Sequence, residues 1–199
     1  MVVSSAATLN FDNTVAVDDQ GIDITAGVVT IDELVTTTNN GAVEITNGGQ
    51  LTIAANGDMN LDGAFTQNGV GVVSTAGNIT TSNDAIRFAT EVTLTGPVSM
   101  DSAGGNISFT STIDSDALAT THDLTLTADA GDISFGAAVG TTASLEDLVI
   151  VSADDVTAVA ITAETIKQDA GTGTTTFNGA VNTSATGGVD LTGNAFVIN

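Results

Sequence analysis

Several residue types that compact enzymes rely on are absent or scarce. None of the 199 residues is Cys, Trp or Tyr, proline occurs once, and aromatic residues make up only 4%. Without Cys, the chain has neither disulfides nor thiolate metal ligands. Without large aromatics the core must be thin, and Val, Ile, Leu and Ala layers with a few Phe favour stacked strands over a broad globular centre.

Positive charge is also scarce. Arg87 and Lys167 stand against 24 acidic residues, which gives a formal net charge of -22. Such a surface repels phosphate, so neither nucleic acid nor an anionic membrane surface is expected as a partner. Divalent cations, bound diffusely, are the natural counter-charge. Most of the acids are Asp beside Gly, Asn or Ser, as in turns, which favours a solvated, turn-rich surface over an acidic binding tail.

Long apolar runs are missing as well. The longest aliphatic run is Leu148 to Val151, far short of the span that a membrane helix needs, so no membrane insertion is expected. The first seven residues lack the basic and apolar segments of a signal peptide. If the protein is exported, its targeting signal is expected upstream, and the chain would be a fragment of a longer protein or a repeating unit in a longer assembly.

What the sequence does contain is a seven-residue cadence: apolar, one residue, apolar, three residues, apolar. It is clearest at Ile133, Phe135 and Val139. Two apolar residues one apart lie on the same face of a short strand, and three intervening residues are enough to turn a corner. The cadence recurs at Met59, Leu61 and Phe65, and at Ile107, Phe109 and Ile113.

The Phe-bearing strands recur at a spacing that sets the coil length. Phe109 follows Phe88 by 21 residues, and Phe135 follows Phe109 by 26. The sequence therefore predicts an all-β fold: one parallel β-helix over residues 1–199, with three faces and about 20 to 26 residues per coil. The chirality of strand crossovers favours a right-handed coil. A left-handed hexapeptide helix is the alternative, because apolar pairs lie six residues apart near Ile86 to Met100.

Local signals predict the connections between these strands. Asn47-Gly48 and Asn56-Gly57 would be hairpin turns in isolated strand pairs, but strands with about two inward residues each make corners the better interpretation. The pattern lapses between Asp114 and His122 and between Gly140 and Asp147, which predicts protruding loops. Thr162 to Gln168 is expected to make at most one helical turn.

The repeats resemble a known family. Ala130 to Val139 (AGDISFGAAV), Asp123 to Thr127 (DLTLT) and Gly77 to Thr80 (GNIT) are similar to coils of filamentous-haemagglutinin-like exoproteins and other large repetitive bacterial surface adhesins. The resemblance covers nearly the whole chain, although the Asn-Pro-Asn turn of the family's secretion domain is missing. It implies an extracellular or cell-surface location, a role as rod, stalk or adhesin, and a host or neighbouring cell surface as a partner.

One short segment matches the opening of a calcium-binding loop. Asp58, Asn60 and Asp62 place oxygen ligands at alternate positions, and Gly63 follows where such a loop turns sharply. The twelfth position, where a bidentate Glu should close the site, is Gly69. These three residues are therefore the candidate calcium ligands, and a strand with outward polar residues is the competing interpretation. No other cofactor is expected.

The signals for catalysis are weaker. His122 is the only histidine, and nothing marks a nucleophile to accompany it. Acid pairs at Asp154-Asp155 and at Asp114 with Asp116 are reminiscent of glycoside hydrolases, but sugar-binding aromatics and enough cations to hold acidic sugars are lacking. The sequence predicts that the chain is not an enzyme. A carbohydrate-binding or carbohydrate-degrading β-helix module is the alternative function.

Threonine pairs and the chain ends complete the prediction. Outward pairs such as Thr93 with Thr95 and Thr125 with Thr127 raise an ice-binding hypothesis, but their irregular recurrence favours ordinary strand propensity.

The last segments, Val189 to Leu191 and Phe196 to Ile198, are apolar and strand-like. An open strand edge is a template for another strand, so the chain is expected to stack end to end with itself or with neighbouring coils as a structural or adhesive rod.

Overall fold

The computed structural model describes residues 1–18 and 20–199 as a β-solenoid. Parallel strands stack into about nine turns of roughly 21 residues each, and the described residues contain no helix. The predicted fold class is therefore confirmed. Each coil is too small to bury its own apolar face, so burial comes from stacking on the coils above and below.

Most strands are short because the chain turns a corner after one to three inward side chains, whereas β1 and β3 run through a corner and span two faces. In chain order they are β1 (Val2–Phe11), β2 (Val15–Asp18), β3 (Ile22–Ile31), β4 (Val35–Thr38), β5 (Val43–Asn47), β6 (Leu51–Ile53), β7 (Met59–Asn60), β8 (Phe65–Gln67), β9 (Val73–Thr75), β10 (Ile79–Thr80), β11 (Ile86–Phe88), β12 (Val92–Leu94), β13 (Val98–Asp101), β14 (Ile107–Phe109), β15 (Ile113–Ser115), β16 (Leu124–Thr127), β17 (Ile133–Phe135), β18 (Leu145–Ser152), β19 (Val156–Ala158), β20 (Ile161–Gln168), β21 (Thr174–Phe177), β22 (Val181–Thr183), β23 (Val189–Leu191) and β24 (Ala195–Ile198).

Three faces run the length of the solenoid. Face 1 comprises the first halves of β1 and β3, then β5, β8, β11, β14, β17, β19, β21 and β24. Face 2 comprises the second halves of β1 and β3, then β6, β9, β12, β15, Val139, the first half of β20, and β22. Face 3 comprises β2, β4, β7, β10, β13, β16, β18, the second half of β20, and β23.

Every pairing between these strands is parallel, and an isolated antiparallel bridge joins Ala117 to Thr120. Asn47-Gly48 and Asn56-Gly57 accordingly lie at corners, as predicted. The inward side chains form continuous columns, because pairing in register places each one above its counterpart. Phe88, Phe109 and Phe135 make up one such column on face 1.

Two local predictions are wrong. Thr162 to Gln168 is not a helical turn but part of β20, whose side chains alternate between interior and surface. The predicted loops are also shorter than expected, since Asp114 and Ser115 complete β15 and Leu145 already begins β18. In each case pairing with a neighbouring coil outweighs the polar composition that suggested loop or helix.

The corner that leads from face 3 back to face 1 has a distinctive backbone. Among the described residues, every non-glycine residue with positive φ lies there: Asn39, Asn40, Asn83, Ala103 and Asp129. Asn and Asp tolerate this left-handed region because their short side chains bond locally, whereas alanine has no such compensation. A left-handed residue lets the chain turn within a few residues, so this corner is tight.

Candidate functional sites

The predicted calcium ligands lie on β7 and at the corners on either side of it. The intervening Met59 and Leu61 are buried, so Asp58, Asn60 and Asp62 point outward, as a strand dictates. Asn60 and Asp62 line one open groove on face 3 of about 430 Å³, and Asp58 is not part of it. The structure thus brings two of the three predicted ligands to one surface.

Both carboxylates of this trio already accept hydrogen bonds from neighbouring coils. The backbone N–H of Asn78, on the next coil, donates to Asp58 Oδ1 at 2.7 Å, and that of Asn40, on the preceding coil, donates to Asp62 Oδ2 at 2.9 Å. A cation would have to share these oxygens. Among residues 1–18 and 20–199, no group of three or more His, Cys, Asp and Glu side chains is arranged to hold a metal ion.

Outward Asp and Asn side chains join successive coils at the corner before face 1. Asn106 Oδ1 accepts the backbone N–H of Asp132 at 2.9 Å, Asp132 Oδ1 accepts that of Asp155 at 3.1 Å, and Asp155 Oδ1 accepts that of Thr174 at 2.7 Å. These residues form a ladder along the rod. The sequence predicts that these Asp residues lie in turns. In the structure they also link neighbouring coils, because each carboxylate accepts a backbone N–H that no backbone carbonyl of the β-ladder reaches.

A second ladder lies at the corner before face 3. Asp123 Oδ1 accepts the backbone N–H of Asp147 at 3.1 Å, and Asp147 Oδ1 in turn accepts the hydroxyl of Thr165 at 2.5 Å. Asp58 and Asn78 repeat the arrangement toward the N-terminus, because Asn78 Oδ1 accepts the N–H of Ser99 at 2.8 Å. Much of the negative charge is thus part of the scaffold.

The acid pairs proposed from the sequence make structural contacts. Asp154 Oδ1 accepts the hydroxyl of Thr172 at 2.6 Å, while Asp155 belongs to the first ladder. Asp114 is buried and accepts the N–H groups of Thr142 and Ala143, so it holds the loop after Val139. Asp116, by contrast, turns to His122.

His122 lies at the base of the loop between β15 and β16. Its Nε2 is 3.1 Å from Asp116 Oδ1, its backbone N–H donates to Ser115 Oγ, and its carbonyl accepts the N–H of Glu146. Thr121 donates to Glu164 Oε1 at 3.3 Å, so the loop reaches across a whole coil to the one after it. The arrangement resembles a clamp over three coils, with the side chain of Leu118 exposed near its tip.

The lysine also has an acidic neighbour. Lys167 Nζ lies 2.6 Å from Asp169 Oδ1 on the surface, and this hydrogen bond, together with the carboxylate charge, raises the pKa of Lys167 above its usual value. Because the pKa of Lys167 is higher in the folded state, its contact with Asp169 contributes its full stabilisation at pH values below the unfolded-state pKa of the lysine. That contribution is lost as the pH rises through the folded-state pKa. The contact is therefore unaffected by pH changes near neutrality.

Sequence reasoning missed a buried polar network at the corner between faces 1 and 2. Gln67 Nε2 donates to Asn47 Oδ1 at 2.7 Å, and Asn47 Nδ2 donates to the carbonyls of Gly49 and Gly71. Thr90 completes it through Gln67 Oε1 at 3.3 Å. The signal was in the cadence itself, since Gln67 follows Phe65 at the spacing where other coils place a second apolar residue.

The last coil exposes an apolar groove of about 540 Å³. Its lining includes the side chains of Phe177, Val181, Val189, Leu191 and Ile198. Of these, Val189 and Ile198 are 45% and 74% exposed. In every earlier coil the equivalent inward positions are covered by the next coil, so this groove is an uncovered cross-section of the core.

The described residues contain no helix of the length and apolarity that crossing a membrane requires. Comparison of the chain with protein-family models, curated proteins and solved structures finds no match.

Proposed function

We propose that this protein is a structural or adhesive rod component of the cell surface or extracellular space, assembled by stacking β-coils end to end. The observation that carries the proposal is the apolar groove of the last coil, bordered by the edge strands β22, β23 and β24. Exposed apolar surface of this kind marks an interaction site, and parallel edge strands accept further parallel strands.

The resemblance to filamentous-haemagglutinin-like exoproteins supports the same role. A stack of about nine coils, spaced by roughly 4.8 Å, is a rod of about 43 Å. Stacking multiplies that length without any new type of contact. The ladders of Asp and Asn at the corners stiffen the rod, because each carboxylate or amide is anchored to the adjacent coil.

The test is the particle length as a function of protein concentration, measured by small-angle scattering and electron microscopy. The unaltered chain should form rods in multiples of the single-chain length. Ile198→Asp should reduce them to single units, because it places a carboxylate in the apolar groove. Thr157→Asp, an equal charge change at an exposed site on β19, is the control and should assemble normally. Unaltered chains that remain single units at all concentrations would refute the proposal.

A further inference from the structure

This inference rests on the proposed function and concerns how one copy joins the next. Pairing along face 1 connects β24 to the first half of β1 through continuous columns. Val197 lies in the outward column that begins at Val2, and Ile198 lies in the inward column that begins at Val3. The two segments therefore occupy equivalent positions at opposite ends of the solenoid.

Their side chains are equivalent as well. Residues 1–4 read Met-Val-Val-Ser and residues 196–199 read Phe-Val-Ile-Asn, in both cases two inward apolar residues around an outward valine, then a small polar residue. Val2 and Val197 are 72% and 41% exposed. The outward column between them is polar throughout: Asp23, Glu44, Thr66, Arg87, Ser108, Ser134, Thr157 and Thr176.

The ends are offset by one strand. On face 1 the described chain extends to β24, whereas faces 2 and 3 end one level earlier, at β22 and β23. The groove lies over these two edges, with Ile198 on its wall. To continue the coil after β24, the next segment must supply a face 2 strand, a corner and a face 3 strand.

Residues 8–18 of a second copy supply these three parts: a face 2 strand, a corner and a face 3 strand. Leu9 lies in the same face 2 column as Val181, and Val15 lies in the same face 3 column as Leu191. Placed over the groove, these segments would continue both columns. The apolar residues packed against the core but only partly buried are confined to the two ends: Leu9, Val15, Val17, Val181 and Leu191.

Simple stacking does not achieve this. If β24 paired with residues 2–4 of the next copy, two face 1 strands would follow one another, and faces 2 and 3 would each lack one strand at the junction. We propose instead that copies join head to tail by strand replacement. Strand β24 of one copy displaces residues 2–4 of the next from β3, and residues 8–18 of that next copy cover the groove.

Disulfide trapping distinguishes the two junctions, because the chain has no native Cys. In strand replacement, Val197 of one copy lies beside Asp23 of the next, whereas in simple stacking it lies beside Val2. Neighbouring parallel strands are about 4.8 Å apart, within disulfide reach. Positions 23 and 197 of a single copy are eight coils apart, roughly 38 Å, so a disulfide between them must join two copies.

Mixed single variants are oxidised and analysed on non-reducing gels. Val197→Cys with Asp23→Cys should give a covalent dimer, and Val197→Cys with Val2→Cys should not. The reverse result would overturn strand replacement while leaving end-to-end assembly intact. Absence of both dimers from chains that still form long rods would also overturn it. Absence of both, with only single units in scattering, would refute the proposed function as well.

A second experiment compares the assembly rates of two variants, for which strand replacement predicts changes in opposite directions. Val3→Asp loosens residues 2–4 from β3 and should speed assembly several-fold, because the displaced segment is the competitor of β24. Ile198→Asp should abolish assembly. Simple stacking requires Val3 at the interface, so it would make both variants defective, and that outcome would contradict strand replacement. Circular dichroism establishes that each variant retains its strands.

Discussion

Two buried glutamines occupy inward columns, and their surroundings differ. Gln67 lies between Ile45 and Phe88 and is bonded at both ends of its amide. Gln168 lies between Ile150 and Leu191, where its Oε1 accepts the hydroxyl of Thr175 but its Nε2 has no partner. The same substitution should therefore have opposite effects at the two positions.

Gln67→Leu should lower the free energy of unfolding. It leaves the buried Asn47 Oδ1 without its donor, and a buried polar atom that loses its partner costs about 1–3 kcal/mol. Urea unfolding monitored by circular dichroism measures the change. An unchanged or higher midpoint would mean that the network between Asn47 and Thr90 contributes no stability.

Gln168→Leu combined with Thr175→Val should raise the free energy of unfolding by about 1–3 kcal/mol. The two substitutions replace the buried Gln168 Nε2, which has no hydrogen-bond partner, and the Thr175 hydroxyl by apolar groups that match the apolar columns around them. Thr175 is changed as well because its hydroxyl would otherwise lose its acceptor. The single variant Gln168→Leu should gain less than the pair. Destabilisation of the double variant would contradict this account of Gln168.

A backbone prediction concerns Ala103, which has a φ of 49°. Glycine occupies this region without steric cost, so Ala103→Gly should stabilise the protein by about 0.5–1 kcal/mol, net of the extra entropy that glycine brings to the unfolded chain. Ala138→Gly, at a position without positive φ, is the control and should destabilise. The two melting temperatures should move in opposite directions, and a parallel shift would disprove the explanation.

Among the elements, the phenylalanine stack of face 1 is the most regular feature of the core. The ring centroids of Phe88 and Phe109 are 5.4 Å apart and those of Phe109 and Phe135 are 5.7 Å apart, with nearly parallel planes. Ala158 then interrupts the column, so Phe177 lies between Ala158 and Ile198 instead of between two rings. The same column thus contains a phenylalanine with two ring neighbours, Phe109, and one with none, Phe177.

Phe109→Leu should cost more stability than Phe177→Leu. Both remove similar apolar area, but only Phe109 loses two ring partners, each contributing about 0.5–1.5 kcal/mol beyond area burial. Chemical denaturation of the two variants measures the difference. Equal losses would show that ring packing adds nothing to burial in this column.

The elements also show what the sequence could predict. Apolar cadence places Ile133, Phe135 and Val139 inward because alternation is a local property of the chain. It does not identify Thr162 to Gln168 as a strand, since the apolar residues of this segment are spaced ambiguously and only pairing with β18, β22 and β23 selects the extended form. The offset between β24 and the edges of β22 and β23 is likewise a property of the stack, which no local pattern encodes.

For the whole molecule, the net charge of -22 opposes the close stacking of its coils. Asp132 and Asp155 lie on successive coils of one ladder, well within the Debye length of about 8–10 Å at ordinary salt. These carboxylates cannot separate without breaking their hydrogen bonds to backbone N–H groups. The repulsion between them must therefore be relieved by counter-ions. Divalent ions neutralise two such neighbours at once.

Thermal stability should therefore rise with monovalent salt and more steeply with millimolar calcium, through several weak sites. A melting series in salt, calcium and chelator tests this. A midpoint indifferent to all three would refute the electrostatic explanation. A single saturating step that Asp62→Ala abolishes would instead establish a dedicated calcium site at Asp58, Asn60 and Asp62.

The polar network of Asn47, Gln67 and Thr90 also bears on how the chain finds its fold. Coils of similar length and composition can pair one turn out of register, and such slipped states retain most of the apolar burial. If β8 packed one coil out of register, Ala26 would take the place of Asn47 beside the Gln67 amide, leaving polar groups buried and unbonded. The network thus leaves the three coils that it joins only one pairing that satisfies their polar groups, and folding that begins there proceeds outward from a unique alignment.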